Sequence, residues 1–144
     1  MDINTLSSIA TAIGVIVAAT QLWASRQQAT TQFEDSLAQD YRTILRKIPI
    51  QALLGEDLSD EEYKNNLDNF YYYIDLTNEQ IFLRKVRRLR RDTWLNWCDG
   101  IRSNLSRPTF HRAWEEIKAR SDNNFQELRK LEKGNFKSDP ASWE

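Results

Sequence analysis

The strongest constraint on the fold is a charge-free segment at the start of the chain. From Ile3 to Ala24 there is no Lys, Arg, Asp or Glu, and every charged side chain except Asp2 comes after this segment. It has about the 20 residues that a helix rising about 1.5 Å per residue needs to cross about 30 Å of hydrocarbon. We therefore predict a single transmembrane helix within residues 1–25.

Two other structures stay open for this segment. A secretory signal peptide begins with a basic region, which Met1 and Asp2 do not supply. A buried core helix of a soluble protein is the stronger alternative, because serines, threonines and alanines make the segment only moderately hydrophobic. Membrane fractionation distinguishes a span from a soluble core helix.

The flanking charges predict the orientation of the span. No basic residue precedes it, and the basic residues that follow begin with Arg26, Arg42, Arg46 and Lys47. Because positive charge next to a span favours the cytoplasmic side, we expect a cytoplasmic helical domain over residues 26–134, at the inner membrane of the cell. The mostly polar residues 135–144 predict a flexible tail unless Trp143 docks.

Small residues recur every four positions inside the predicted span. Ala10, Gly14 and Ala18 would form one stripe of a helix, on which a second helix can pack closely. The stripe predicts a homo-oligomer or a partner membrane protein. Chance spacing in an alanine-rich segment is the alternative.

Helical periodicity continues through the rest of the chain. No Gly or Pro lies between the predicted span and Pro49, so the membrane helix and the first cytoplasmic helix should be continuous. Ser59 and Glu62 have the spacing of a capping box, and further helices are expected over 92–105, from Pro108, and over 122–133. The predicted fold class is all-α, with one transmembrane helix continuing into a cytoplasmic bundle of four to five helices. The predicted inward face of the second cytoplasmic helix is Tyr63, Leu67, Phe70, Tyr71, Ile74, Asn78, Ile81 and Phe82.

A basic segment follows that helix. It comprises Arg84, Lys85, Arg87, Arg88, Arg90 and Arg91. If the first two cytoplasmic helices pack antiparallel, the second returns this segment to the level at which the first leaves the membrane. We therefore expect it to bind anionic lipid headgroups or a phosphate-bearing ligand. A solvated basic face is the alternative, and nucleic acid is not expected, because the chain has a net charge of −1 and no base-reading residues accompany the segment.

The sequence contains no recognisable catalytic, cofactor or metal motif. It has one cysteine, Cys98, one histidine, His111, and no glycine-rich phosphate loop. The best polar constellation is Asp75, Asn78 and Glu79, for which we expect a hydrogen-bond network between helices rather than acid–base catalysis. We therefore predict a protein that is not an enzyme and that takes no cofactor and no metal.

Short aromatic and apolar motifs are spread along the chain: Phe33-Glu34, Tyr41-Arg42, Ile48-Pro49, Ala52-Leu53-Leu54-Gly55, Tyr73-Ile74-Asp75-Leu76, Asn78-Glu79-Gln80, Trp94, Trp97, Gly100-Ile101, Arg107-Pro108, Phe110 and Ala113-Trp114. They resemble a pattern found in small bacterial proteins of unknown function. The resemblance implies one N-terminal membrane helix and a cytoplasmic helical domain over most of the chain. It implies no activity and no functional residue.

These patterns together predict a single-pass membrane-anchored interaction protein, an adaptor, sensor or effector. It would act by self-association and by contact with lipid headgroups or a partner. The alternative is a soluble helical protein whose basic segment binds a nucleotide or nucleic acid. An enzyme comes third, and it would require Asp75, Glu79 or His111 to line a cleft with strongly shifted pKa values.

Overall fold

The computed structural model describes residues 2–144, except for the side chains of Thr5 and Leu6. The described residues form six α-helices, one 3-10 helix and no β-strand, which confirms the all-α fold class. The helices are α1 (Ile3–Leu45), α2 (Ile50–Leu53), α3 (Asp60–Lys85), α4 (Arg91–Leu105), α5 (Pro108–Arg120) and α6 (Gln126–Lys133), followed by the 3-10 helix Pro140–Ser142.

The chain divides into two compact units, Met1–Ser36 and Leu37–Glu144. The helix α1 is continuous, as predicted, and contributes to both units. The boundary lies later than the composition change near residue 25, because Tyr41, Ile44 and Leu45 are the residues of α1 that pack against the core of the second unit. Composition alone does not show this boundary.

The first unit contains the apolar part of α1. By length and composition, α1 can cross a membrane over Ser7–Leu45, a test that core helices of soluble proteins and signal sequences also pass. None of the apolar window that meets this test is buried in the structure. Ile13, Val15, Ile16 and Leu22 are each more than half exposed, at 57%, 64%, 63% and 61%.

The predicted capping box starts α3. The Ser59 hydroxyl accepts the Glu62 backbone N–H at 3.3 Å, and the Glu62 carboxylate accepts the Ser59 backbone N–H at 3.2 Å. The Ser59 hydroxyl also donates to that carboxylate, and these hydrogen bonds lower the pKa of Glu62. The start of α3 therefore follows from local sequence.

Helix α3 is the centre of the second unit. It contacts α4, α5, α6 and the 3-10 helix, so it buries a wide arc rather than one stripe. Tyr63, Phe70, Ile74 and Ile81 are buried as predicted, but Tyr71 and Phe82 are 40% and 46% exposed. The additional buried residues are Tyr73, Leu76, Thr77, Gln80, Leu83 and Arg84.

The rest of the core comes from α4 to α6. The ring of Phe110 on α5 meets Phe70 and Tyr73 edge-on, with centroids 5.1 and 5.0 Å apart. Trp97 on α4 is half-buried, and the fully buried residues of α4 and α5 include Trp94, Cys98, Ile101, Phe110, Ala113, Trp114 and Ile117.

Residues 135–144 differ from the predicted tail. The 3-10 helix packs against α3, and Trp143 packs against the core while its indole N–H donates to the Ser138 hydroxyl at 3.2 Å. This is the docking on which the prediction of flexibility depended. The segment therefore forms part of the second unit.

Candidate functional site

The predicted helix-packing stripe lies on an exposed part of α1. Ala10, Gly14 and Ala18 are all exposed, and a Cβ atom built on Gly14 would meet no atom within 4 Å. The self-association of this stripe stays a prediction, because a single chain does not test it.

The basic segment lies at the junction of α3 and α4. Its first residue, Arg84, forms hydrogen bonds within the second unit. Arg84 is 9% exposed, and its Nε and Nη2 atoms donate to the two oxygens of Asp139 at 2.8 and 2.6 Å. Its Nη1 donates to the carbonyl of Leu89 at 2.8 Å. The hydrogen bonds from the guanidinium lower the pKa of Asp139. Arg84 therefore holds the C-terminal segment to the end of α3.

The other cations of the segment differ in exposure. Lys85 is half-buried, and its Nζ lies 2.8 Å from Oε1 of Glu127 on α6. Arg87, Arg88, Arg90 and Arg91 are exposed. Arg84 and Lys85 thus pair with carboxylates of the second unit, and Nη2 of Arg87 donates to the carbonyl of Ala141 at 3.4 Å. The predicted lipid or phosphate contact therefore depends on the exposed part of the segment.

The chain turns sharply at Arg87. This residue has a φ of +60°, in the left-handed region that glycine favours. The N–H of Arg88 donates to the carbonyl of Leu83, and the N–H of Arg87 to that of Arg84, each at 2.9 Å. These two bonds form a Schellman motif, which ends α3 and turns the following arginines away from the helix axis.

The structure separates Asn78 from the other two residues of the predicted polar constellation. Asp75 and Glu79 are exposed and line a shallow groove of about 380 Å³ between α3 and the C-terminal end of α1. The side-chain carbonyl of Asn78 instead accepts the backbone N–H of Leu128 in the first turn of α6, at 3.0 Å. The groove is open to solvent, and in the described part of the chain no group of three metal-binding side chains occurs.

A different polar network connects three helices of the second unit. The side-chain amide of Asn104 donates to the hydroxyls of Tyr41 on α1 and Tyr73 on α3, at 3.1 and 3.0 Å. Its carbonyl accepts from Nη1 of Arg107 at 2.7 Å. Burial raises the pKa of Tyr73, although the hydrogen bonds from Asn104 and Thr77 oppose that effect. The network fixes how α1, α3 and α4 meet.

Sequence reasoning missed this network. Tyr41 and Tyr73 look like ordinary members of apolar helix faces, and their hydroxyls carry no periodic signal. One sequence signal could have indicated it. Tyr73, Thr77 and Gln80 have helical spacing, which places three polar groups on one stripe of the buried face of α3.

The other side chains that could take part in chemistry are Cys98, His111 and Tyr63. Cys98 is buried, its thiol donates to the carbonyl of Phe136 at 3.4 Å, and burial raises its pKa. A buried thiol with a raised pKa is a weak nucleophile, so Cys98 acts as a small buried residue. His111 is exposed on α5. On α3, the hydroxyl of Tyr63 donates to Glu116 at 2.6 Å, which lowers the pKa of that carboxyl.

Comparison with known proteins gives no functional lead. No protein-family model matches the chain, and no curated protein and no solved structure matches it.

Proposed function

We propose that this protein is a membrane-anchored helical interaction protein of the adaptor, sensor or effector type. The apolar part of α1 is the anchor, and the second unit lies in the cytoplasm at the inner membrane of the cell. The protein acts by self-association of α1 and by contact with lipid headgroups or a partner. The observation that carries this proposal is the exposed, charge-free first half of α1.

Hydrophobic free energy supports an anchor. Apolar surface in water costs about 25 cal/mol per Å², and soluble monomers rarely expose large contiguous apolar patches. The apolar window of α1 is 0% buried, so this surface is left uncovered by the rest of the chain. A bilayer covers such a helix all round while the helix satisfies its own backbone hydrogen bonds.

The orientation is supported by charge. Arg26 follows the apolar segment directly, and Arg42, Arg46 and Lys47 follow further along the chain. Trp23, 66% exposed, lies at the end of the segment, where an aromatic ring suits the headgroup region.

The exposed arginines of the basic segment supply the proposed contact with anionic headgroups. A Lys or Arg near an anionic leaflet contributes about 1 kcal/mol, which salt reduces. Arg84 does not take part in this contact, because its guanidinium donates to both oxygens of Asp139.

Membrane fractionation of the full-length chain tests the anchor. We expect the wild type to stay in the pellet after an alkaline carbonate wash, with an intact N-terminus by mass spectrometry. The double variant Val15→Lys/Val17→Lys should move to the supernatant, because each charge at the centre of a span costs about 2.5–3.5 kcal/mol.

The matched control is Gln32→Lys/Ser36→Lys, which adds the same two charges to α1 after the charge-free segment and should stay in the pellet. A wild type in the supernatant would contradict the anchor and favour the soluble alternative. A chain that has lost residues 1–25 would identify a signal sequence.

A further inference from the structure

A cleft in the second unit lies beside the Asn104 network. It has a volume of about 290 Å³, close to the lower end of small-molecule pockets. At about 30 Å³ per water molecule, this space suits a molecule of one or two rings. Its lining comes from α1, α3 and α4 and consists of Ala38, Tyr41, Arg42, Gln80, Asn96, Trp97, Gly100 and Ile101.

Gln80 is the residue of the lining that indicates a polar ligand. It is only 4% exposed, yet its carboxamide forms no hydrogen bond in the part of the chain that the structure describes. Every fully inaccessible side-chain N or O atom among those residues has a partner, so the carboxamide must reach open space. The space that Gln80 lines is this cleft. The carbonyl and amide groups of Gln80 are therefore left to a molecule in the cleft, and a ligand with matching groups would form hydrogen bonds with them.

Tyr41 adds a directed donor. Its hydroxyl oxygen accepts from Asn104, whose two amide hydrogens go to Tyr41 and Tyr73. The Tyr41 hydroxyl proton has no acceptor among the described residues, so it is available to a ligand carbonyl. Trp97, half-buried in the same lining, supplies a flat aromatic surface.

We propose that this cleft binds a small planar molecule with a lactam edge, that is, a ring N–H next to a ring carbonyl. A carboxamide pairs with such an edge through one accepted and one donated hydrogen bond. The aromatic rings of Tyr41 and Trp97 favour a flat ligand, and Arg42 in the lining disfavours a cationic one. The proposal does not depend on the membrane anchor.

The test uses the full-length protein, ¹⁵N-labelled in detergent micelles, with 2-pyridone as the probe. We expect saturable shifts of the Gln80 side-chain amide and Trp97 indole resonances, with a Kd on the order of 1 mM. The matched ligand 1-methyl-2-pyridone keeps the ring and the carbonyl but lacks the N–H. It should bind at least about tenfold more weakly, because the Gln80 carbonyl then has no donor.

The protein variant is Gln80→Met, which keeps the length of the side chain and removes the amide. We expect binding about tenfold weaker and a stability equal to or above that of the wild type. The control is Gln51→Met, an exposed glutamine on α2, which should leave binding unchanged.

Three results would overturn the proposal. They are the absence of saturable shifts up to about 10 mM 2-pyridone, equal binding of the two pyridones, and unchanged binding by Gln80→Met. If Gln80→Met fails to fold, the comparison of the two pyridones on the wild type decides.

Discussion

At the scale of residues, the ion pair of Arg84 and Asp139 shows that a residue of a basic segment can stabilise the fold instead of facing solvent. Arg84 belongs to a run of six cations in the sequence, yet it is 9% exposed and bonded to both oxygens of Asp139. Removing a buried guanidinium from water is costly, and only a paired, hydrogen-bonded geometry offsets that cost. The pair therefore contributes to the free energy of unfolding rather than to ligand binding.

The variant Asp139→Asn tests this assignment. It should lower the free energy of unfolding by about 1–2 kcal/mol near pH 7, a value reduced because the Asp139 side chain is 33% exposed. The pKa of Asp139 is lowered in the folded state, so its contribution is present above pH about 4 and is lost as the pH falls through the folded pKa. Denaturant unfolding between neutral and acid pH measures the difference from wild type.

The control is Asp99→Asn, which removes the exposed pair with Arg102 and should cost less than about 0.5 kcal/mol. Two results would contradict the assignment. One is an equal loss of unfolding free energy in both variants, and the other is a loss for Asp139→Asn that does not become smaller at acid pH.

At the scale of elements, one asparagine joins three helices. Asn104 on α4 holds Tyr41 of α1 and Tyr73 of α3, and its own amide is fully hydrogen-bonded. A buried polar network of this kind restricts the helices to one relative position, because any shift leaves a polar group unpaired. The network also places Tyr41 beside the cleft.

We expect Tyr73→Phe to lower the free energy of unfolding by about 1–3 kcal/mol, because it leaves one Asn104 N–H buried without an acceptor. Its neighbour Tyr72 is 56% exposed, and no hydrogen bond of its hydroxyl occurs among the described residues, so Tyr72→Phe should be nearly neutral. Thermal or denaturant unfolding compares the two. Similar effects of both variants would mean that the network adds little stability.

The proposed self-association belongs to α1 alone. Gly14→Ile should weaken it by about tenfold, because a branched side chain keeps a second helix from approaching closely. The control Ala12→Ile adds similar bulk to the opposite side of the helix. Cross-linking of the full-length chain in membranes or detergent measures both, and unchanged cross-linking of Gly14→Ile would exclude this stripe as the contact.

At the scale of the whole molecule, the two units have different physical bases. The first contains the exposed apolar part of α1, whereas the second has its own core, formed by residues between Ile48 and Leu131. A unit with its own core does not need the apolar segment to fold. The proposed division between a membrane anchor and an interacting domain requires two units of this kind.

A chain that begins at Ser25 should therefore be monodisperse in buffer without detergent and should unfold cooperatively. Size-exclusion chromatography and near-UV circular dichroism with a thermal scan measure these properties. Aggregation or loss of the near-UV signal would show that residues 3–24 belong to the core of a globular protein, and the anchor would then be wrong.

Local chemistry decided what the sequence could predict. The capping box of Ser59 and Glu62 and the proline at the start of α5 act within one or two turns, so the sequence alone predicts these helix starts. The short helix α2 and the docked C-terminal segment were not predicted, because packing against other helices stabilises them. The charge-free start of α1 is likewise a property of composition alone.

Only the tertiary structure determined which polar groups form hydrogen bonds with each other. Arg84 finds Asp139 across 55 residues, and Asn104 reaches Tyr41 across 63. Gln80 is buried on α3 and lines a cleft whose other walls come from α1 and α4. Periodicity predicts which side of a helix is buried, but hydrogen bonds form only within about 3 Å, and that distance is set by how helices far apart in sequence pack together.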